Sequence, residues 1–576
     1  MATWKVNAGP LLRYDTVDSQ GIYHAFALIV TEHVNGVTLP APPILQYVAT
    51  ANQQPTGPPM QTKGLQLWVY NDEQRKSHVF WRFKFEIKMM RVPQQIVYII
   101  PGASDLLDFH VPAFHQNFRW STYSCSGFSS SVNQEEFGGF DPMWNDMLTE
   151  HANNPFHVMI GGGDQIYNDK ITEEKVVGSN IAPIDLNTEQ EERPVAPEIA
   201  IAIDRFFFNN YVQCFGTGAM ARAMARIPMV NMLDDHDIID GFGTYPENLM
   251  RSPVFNLIGS RGYFFYLLFQ QFMQDEVDGI INENTKNPNP SEIKSLIIGG
   301  PGTYIPFPTH SFLTWLGPKQ AMLLLDCRAQ RTLNQVCAPE TYERAQEAIE
   351  MLPDTVRHLI IQLGVPISYP RMVFLENMLT NRFNPVVSMA KMFMPAFTNN
   401  FNGQVELLDD LNDHWCAAHH KKERNQLIER TQALAKTRKM RISFISGDVH
   451  AAGCGVFYSE QQMEPSRDPR YSLAVITSAI VNAPPPPAVI NIVNKLATKH
   501  HKSLEYANTR ETMLPLFELD LEDKNTKNKY IIGARNWCAV DYDENTNELI
   551  FTLHVEKAPG HGRAKLYSMK APPPLF

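Results

Sequence analysis

Four clusters of acids, histidine and arginine each stand directly after a short apolar run. HVMI leads into GGGDQIYND (Gly161 to Asp169) and PMVNML into DDHD (Asp234 to Asp237). AMLLL leads into DCRAQR (Asp326 to Arg331) and ISFIS into GDVH (Gly447 to His450). Carboxylates gathered in one place repel and call for compensating cations. Carboxylate oxygens and imidazole nitrogens are the ligands that hard and borderline metal ions prefer. The chemistry such a set predicts is metal-assisted hydrolysis, in which ions lower the pKa of a bound water and steady the charge on the reacting group. Asp164 alone reads equally as a turn former or helix cap. DDHD is harder to place in a plain fold, because its three carboxylates around one histidine are costly without ions or arginine.

The elements that position these clusters are buried-looking strands. Ligands gather beyond the carboxyl ends of strands in an open α/β sheet, so four parallel neighbours would bring all four clusters to one rim. Glycines in GGGDQ and SGDVH allow sharp turns and leave room beside an ion. From about 111 to 500 strand-like runs alternate with helical stretches, the texture of an α/β layered domain. APEIAIAIDRFFFNNYVQCF, FNLIGSRGYFFYLLFQQFMQ, PETYERAQEAIEML and KKERNQLIERTQALAKTRK read as helices. SNIAPIDLNTEQEERP, INENTKNPNPSEIKS and the segment near 390–404 read as surface insertions, and Pro484 to Pro487 as a stiff loop. Residues 1–110 hold β-branched and aromatic runs such as HAFALIV and HVFWRFKFEIKMMRV, which predict a separate N-terminal β-sandwich. Residues 501–576 read as a β-rich extension, with a hairpin at ARNWCAVDYDENTNELIFTLHVEK that packs on the main sheet or on that sandwich.

The totals bound the function. Net charge is −11 with no basic stripe, which argues against a duplex nucleic-acid partner. Lys421, Lys422 and Arg424 are offset by nearby acids and read as a solvated helix face. Seven scattered cysteines form no CxxC pair and no disulfide framework. The sequence offers no signal-peptide pattern and no apolar run near the roughly 18 residues of a membrane span, so a cytoplasmic location is expected. GxSxG, GxxxxGK[ST] and HExxH are absent, which removes the usual signatures of serine hydrolases, P-loop enzymes and zincins.

Taken in order, GDQIY (Gly163 to Tyr167), DDHD, the pair Asp326 and Arg328, and SGDVH resemble the motifs of PhoD-like phosphatases, a branch of the calcineurin-like metallophosphoesterases. YSCSGF, with Cys125, is a fifth matching element, and the likeness spans about 120 to 460. The resemblance implies a four-layer α/β/β/α core with two or more metal ions. It implies that Asp164 bridges two metals, that Cys125 and Tyr167 join it around a ferric ion, and that Asp235, Asp448 and His450 hold divalent ions. Calcium is the divalent ion the family suggests, and zinc, manganese and magnesium suit the same ligands. Catalytic roles would fall to Asp235, to His236 as phosphate binder or proton donor, and to Arg328 as a phosphate contact. Asp234, Asp237 and Asp413 form a second tier, Asp413 in a DHW element that reads equally as a helix-start cap. As buried groups, Cys125 and Tyr167 also read as ordinary core. The function expected is hydrolysis of small phosphate esters, mono or diester. The alternative is a phosphoesterase fold without activity, kept as a binding protein.

Overall fold

The computed structural model describes residues 4–34, 41–130, 132–181, 195–274, 292–371, 413–504 and 508–576. Two large sheets organise them. The first, ten-stranded, runs in spatial order Ala564–Ala571, Glu548–Glu556, Asn536–Asp543, Trp120–Tyr123, Val158–Gly161, Met229–Asn231, Lys5–Val17, Ile22–Val34, Lys76–Lys88 and Leu65–Asn71. Trp120–Tyr123, Val158–Gly161, Met229–Asn231 and Lys5–Val17 are parallel neighbours within it. The second, also ten-stranded, runs Leu296–Pro301, Pro308–Trp315, Gln320–Leu324, His358–Gln362, Arg441–Ser446, Ser472–Ile476, Ala452–Ser459, Thr509–Met513 and His501–Leu504, with Ile531–Ile532 on Ala452–Ser459. Its parallel centre is Gln320–Leu324, His358–Gln362, Arg441–Ser446 and Ser472–Ile476.

Those central strands are buried at every position, which is why they read as continuous apolar runs rather than alternating ones. Their side chains still alternate between two cores. Leu324, Ile360, Ile445 and Val475 face the core they share with the first sheet. Leu323, Ile361, Phe444 and Ala474 face a second core with Ile349 and Leu427, on the helices Pro339–Glu350 and Lys421–Arg438. On the first sheet, helices Pro197–Gly216 and Gly218–Met224 pack on Lys5–Val17, and Pro253–Gln270 packs on Pro197–Gly216. Polar pins join the sheets: Trp120 Nε1 donates to Gln320 Oε1 at 3.2 Å and Gln362 Nε2 to the Gly162 carbonyl at 2.9 Å.

Strand pairing crosses the expected boundaries at 110 and 500. Lys5–Val17 lies parallel to Met229–Asn231, with Arg13 opposite Met229, so the N-terminal strands extend the first large sheet. A five-stranded sheet of Ile44–Ala51, Gln54–Pro55, Met60–Lys63, Gln94–Ile99 and Leu107–Val111 packs on it, with Tyr47, Tyr98 and Phe109 edge-on to Phe85. The apolar pattern of a strand fixes its buried face but not its neighbour, so sequence could not assign this shared edge. The C-terminal hairpin Asn536–Asp543 and Glu548–Glu556 joins the first sheet beside Trp120–Tyr123, whereas His501–Leu504 and Thr509–Met513 join the second.

The four expected helices form. Pro487, expected in a loop, instead begins the helix Pro487–Ala497. Arg424, expected on a solvated face, is buried and ion-paired with Glu511. Most of the insertion at 179–194, residues 281–291 of the next and all of 390–404 lie outside the described residues. Among the described residues no helix is long and apolar enough to cross a membrane.

Candidate metal centre

The clusters sit where parallel strands end, but on two sheets rather than one. Cys125, Asp164 and the DDHD run follow Trp120–Tyr123, Val158–Gly161 and Met229–Asn231 of the first sheet. Arg328, Asp448 and His450 follow Gln320–Leu324 and Arg441–Ser446 of the second. His358–Gln362 lies between those two and contributes no ligand but a glycine. A Cβ at Gly364 would stand 2.5 to 2.8 Å from the Asp234 carboxylate. Gly163 meets Asp234 from the other side, where a Cβ would come within 2.6 Å. The backbone turns sharply at the side chains themselves: Cys125, Asp164, Asp448 and His450 have φ of 54°, 55°, 68° and 48°. Non-glycine residues rarely hold that conformation, and such strain gathers at functional sites.

The acids divide into those with cations and those without. The buried Arg328 side chain makes five hydrogen bonds: to Asp234 through Nε, to Asp235 at 3.3 Å, to Asp413 at 2.9 and 2.6 Å, and to the Phe242 carbonyl at 3.3 Å. Arg331 adds a second ion pair to Asp413 at 2.7 Å. Burial works against the Asp413 charge, but Arg328 and Arg331 outweigh it and hold the carboxyl well below the usual range. Four of these bonds go to the acids behind the site and one to a backbone carbonyl, at the residue where the sequence predicts a phosphate contact. Asp413 is the anion that pairs with both arginines.

Asp164 stands at the other extreme. Its Oδ1 is buried with no hydrogen-bond partner, as is Oδ2 of Asp234. Burial, then the nearby Asp235, pushes the Asp164 carboxyl well above the carboxylate range. Burial does the same to Asp448, reinforced by Asp234 and Asp235, and lifts Asp234 to about 6 despite Arg328. Asp164, Asp234, Asp235 and Asp448 each offer an oxygen within 4.8 Å of the others, and Asp164, Asp235 and His236 form an overlapping set within the same limit. Unpaired carboxylate oxygens at that spacing are held apart from water and from each other's charge only at high cost. They fit metal ions. Asp237 turns away and serves the backbone: Oδ2 accepts from the Asp234 and Asp164 amides at 2.9 and 2.8 Å, and Oδ1 from Gln270 at 2.8 Å.

Cys125, Tyr167 and His450 border this cluster. Cys125 Sγ lies 3.4 Å from Asp164 Oδ2 and 3.0 Å from Ser478 Oγ. Tyr167 Oη lies 3.2 Å from His450 Nε2 and accepts from Asn482 Nδ2 at 3.1 Å. Burial, seconded by Asp164 for the thiol and by Cys125 for the phenol, keeps both protonated, and burial lowers His450 to about 3, so its ring is neutral. His236 stacks on the Tyr167 ring at 4.1 Å and places Nδ1 2.8 Å from Asp169. Burial opposes its charge, but Asp169 and Asp235 outweigh burial and hold the imidazolium. Asp169, Ser478, Asn482 and His414, whose Nε2 is 3.6 Å from Asp448, were not singled out from sequence. Asp169 and His414 lie inside noted motifs, whereas Ser478 and Asn482 are lone polar residues with no local signal.

A profile of the family described as PhoD related phosphatase matches residues 104–385 and 386–570. A protein of Saccharomyces cerevisiae, the uncharacterized YGR266W, is 35% identical over 529 residues, which cover 83% of this chain and 73% of the yeast protein. A solved structure, that of PhoD, is similar with a TM-score of 0.50 at 10% identity, covering 98% of this chain and 89% of that one. At so low an identity the likeness speaks to the fold alone.

Proposed function

The chain belongs to the PhoD related phosphatase family, and on that premise we propose that it hydrolyses small phosphate esters at a centre of two or more metal ions. The observation that carries this reading is the pair of partnerless buried oxygens, Asp164 Oδ1 and Asp234 Oδ2, within a set of four converging carboxylates. The reading includes a four-layer arrangement, supported by two sheets that share one core and carry helices on other faces.

Asp164, Asp234, Asp235 and Asp448 would hold the ions, with Cys125, Tyr167 and His450 at the side of Asp164. When bound, the ions supply an activated water and neutralise charge on the phosphoryl oxygens. The protein supplies position. Arg328 fixes Asp234 and Asp235 from behind, so they need not reorganise as charge moves. Asp169 takes Nδ1 of His236, leaving Nε2 as the atom that can protonate the leaving oxygen. The Tyr167 ring fixes the plane of that imidazole. No protein nucleophile is required, because phosphoryl transfer rests on positioning and charge.

The test is hydrolysis of an aryl phosphate monoester and diester by protein stripped with chelator and then reloaded with iron, calcium, zinc or manganese. Activity on at least one ester should return only with metal. Equal activity in chelated protein, or none with any ion, would overturn the assignment.

A further inference from the structure

The loop that follows Ser472–Ile476 touches every candidate ligand at the edge of the cluster. Ser478 Oγ lies 3.0 Å from Cys125 Sγ and accepts the His450 backbone N–H at 3.1 Å. Asn482 Nδ2 donates to Tyr167 Oη at 3.1 Å and to Ser129 Oγ at 3.0 Å, and lies 3.4 Å from His450 Nε2. Both residues are buried. Cys125 and Tyr167 come from the first sheet and His450 from the second. Each of the two loop side chains therefore contacts one group from either sheet.

The backbone of the loop does the same. The Ile480 and Val481 amides donate to the carbonyls of Ser124 and Cys125, at 3.0 and 3.3 Å, and Thr477 donates its amide to the Ser446 carbonyl at 3.0 Å. Asn536, from the C-terminal hairpin, donates its amide to the Ala479 carbonyl at 2.7 Å and accepts from Thr477 Oγ1 at 3.0 Å. The loop is tied to both sheets at the height of the site.

We propose that Ser478 and Asn482 are positioning residues of the metal centre, a clasp that holds Cys125 and Tyr167 of one sheet against His450 of the other. The inference rests on the metal-dependent reading above. Because Ser478 Oγ already accepts the His450 N–H, its own hydrogen is free to be donated to the Cys125 sulfur. Because the Asn482 amide nitrogen only donates, it supports an oxygen lone pair on Tyr167, whether that group is phenol or phenolate. Donors of this kind around a ligand set affinity as well as orientation, and losing one typically costs about 10–100-fold in metal affinity.

The test uses full-length protein stripped of metal and titrated with cobalt(II), followed by visible and near-ultraviolet absorption and by elemental analysis. Ser478→Ala removes one hydroxyl. Asn482→Asp keeps the oxygen that caps Ser129 and Ala483 but removes the donors. Each variant should bind cobalt about 10–100-fold more weakly, with the thiolate-to-cobalt band reduced or shifted, while the metal-free melting temperature of Ser478→Ala stays near wild type. Wild-type affinity and an unaltered spectrum in both variants would overturn the clasp alone. Failure of the wild type itself to take up metal would overturn the phosphatase reading and the clasp with it.

Discussion

Asp413 and Asp164 are both fully enclosed carboxylates of one site, and the protein treats them in opposite ways. Asp413 is met by two guanidinium groups and stays ionised. Asp164 is met by other carboxylates and no arginine, and keeps one oxygen without a partner. The back of the site is thus a closed electrostatic unit, finished by the polypeptide. The centre is an open one, with oxygens left for the ions proposed above. A buried carboxylate oxygen left without a partner marks where a ligand belongs more sharply than acidity does.

Four substitutions break or sharpen this contrast. Asp164→Asn should lower ester hydrolysis by at least about 10³-fold, the upper range for a single electrostatic group, yet leave metal-free protein as heat-stable as wild type or more so. A drop in metal-free melting temperature would show that Asp164 is a structural partner after all. Asp413→Asn should do the reverse, losing about 3–5 kcal/mol in chemical denaturation because two buried arginines lose their anion. Stability within 1 kcal/mol of wild type, about the value of an exposed pair, would refute the closed-unit account. Gly364→Ala should cost about 1–3 kcal/mol by overpacking and weaken metal uptake, since the new methyl meets the Asp234 carboxylate. Unchanged uptake would mean that the wall yields.

The smallest effect concerns pH. Burial lifts the Asp237 carboxyl to about 7. The folded state then holds a proton that the unfolded state, near 4, has released, so this group favours folding below about pH 4 and loses that contribution as pH rises toward 7. Thermal melts of metal-free Asp237→Asn and wild type should therefore diverge by about 1 kcal/mol or more between those limits, the variant gaining as pH rises. Parallel curves would place the proton elsewhere.

The sequence made the strand-end clusters legible because central parallel strands are buried on both faces and end abruptly in polar residues. DDHD, GDQIY and SGDVH were enough to indicate the family. They could not indicate that the clusters lie on two sheets, since an apolar run carries no record of its neighbour. Arg328 was legible as a charge at the site, but its five acceptors are not written in the sequence. Ser478 and Asn482 are single polar residues in apolar surroundings, and only the fold brings them to the ligands. The C-terminal hairpin was readable as a hairpin, from its alternation and polar turn, while its place beside Trp120–Tyr123 was not.

The left-handed turns at Cys125, Asp164, Asp448 and His450 put a backbone cost on the side chains that line the site. Glycine would hold each of these angles without the roughly 1–2 kcal/mol that a side chain adds there. Glycine there would give up the contacts these side chains make, so the backbone strain is accepted for the side chains' sake. Asp and His tolerate the conformation better than most residues, but Cys has no such excuse. The left-handed turn at Cys125 is thus the one of the four that its side chain favours least.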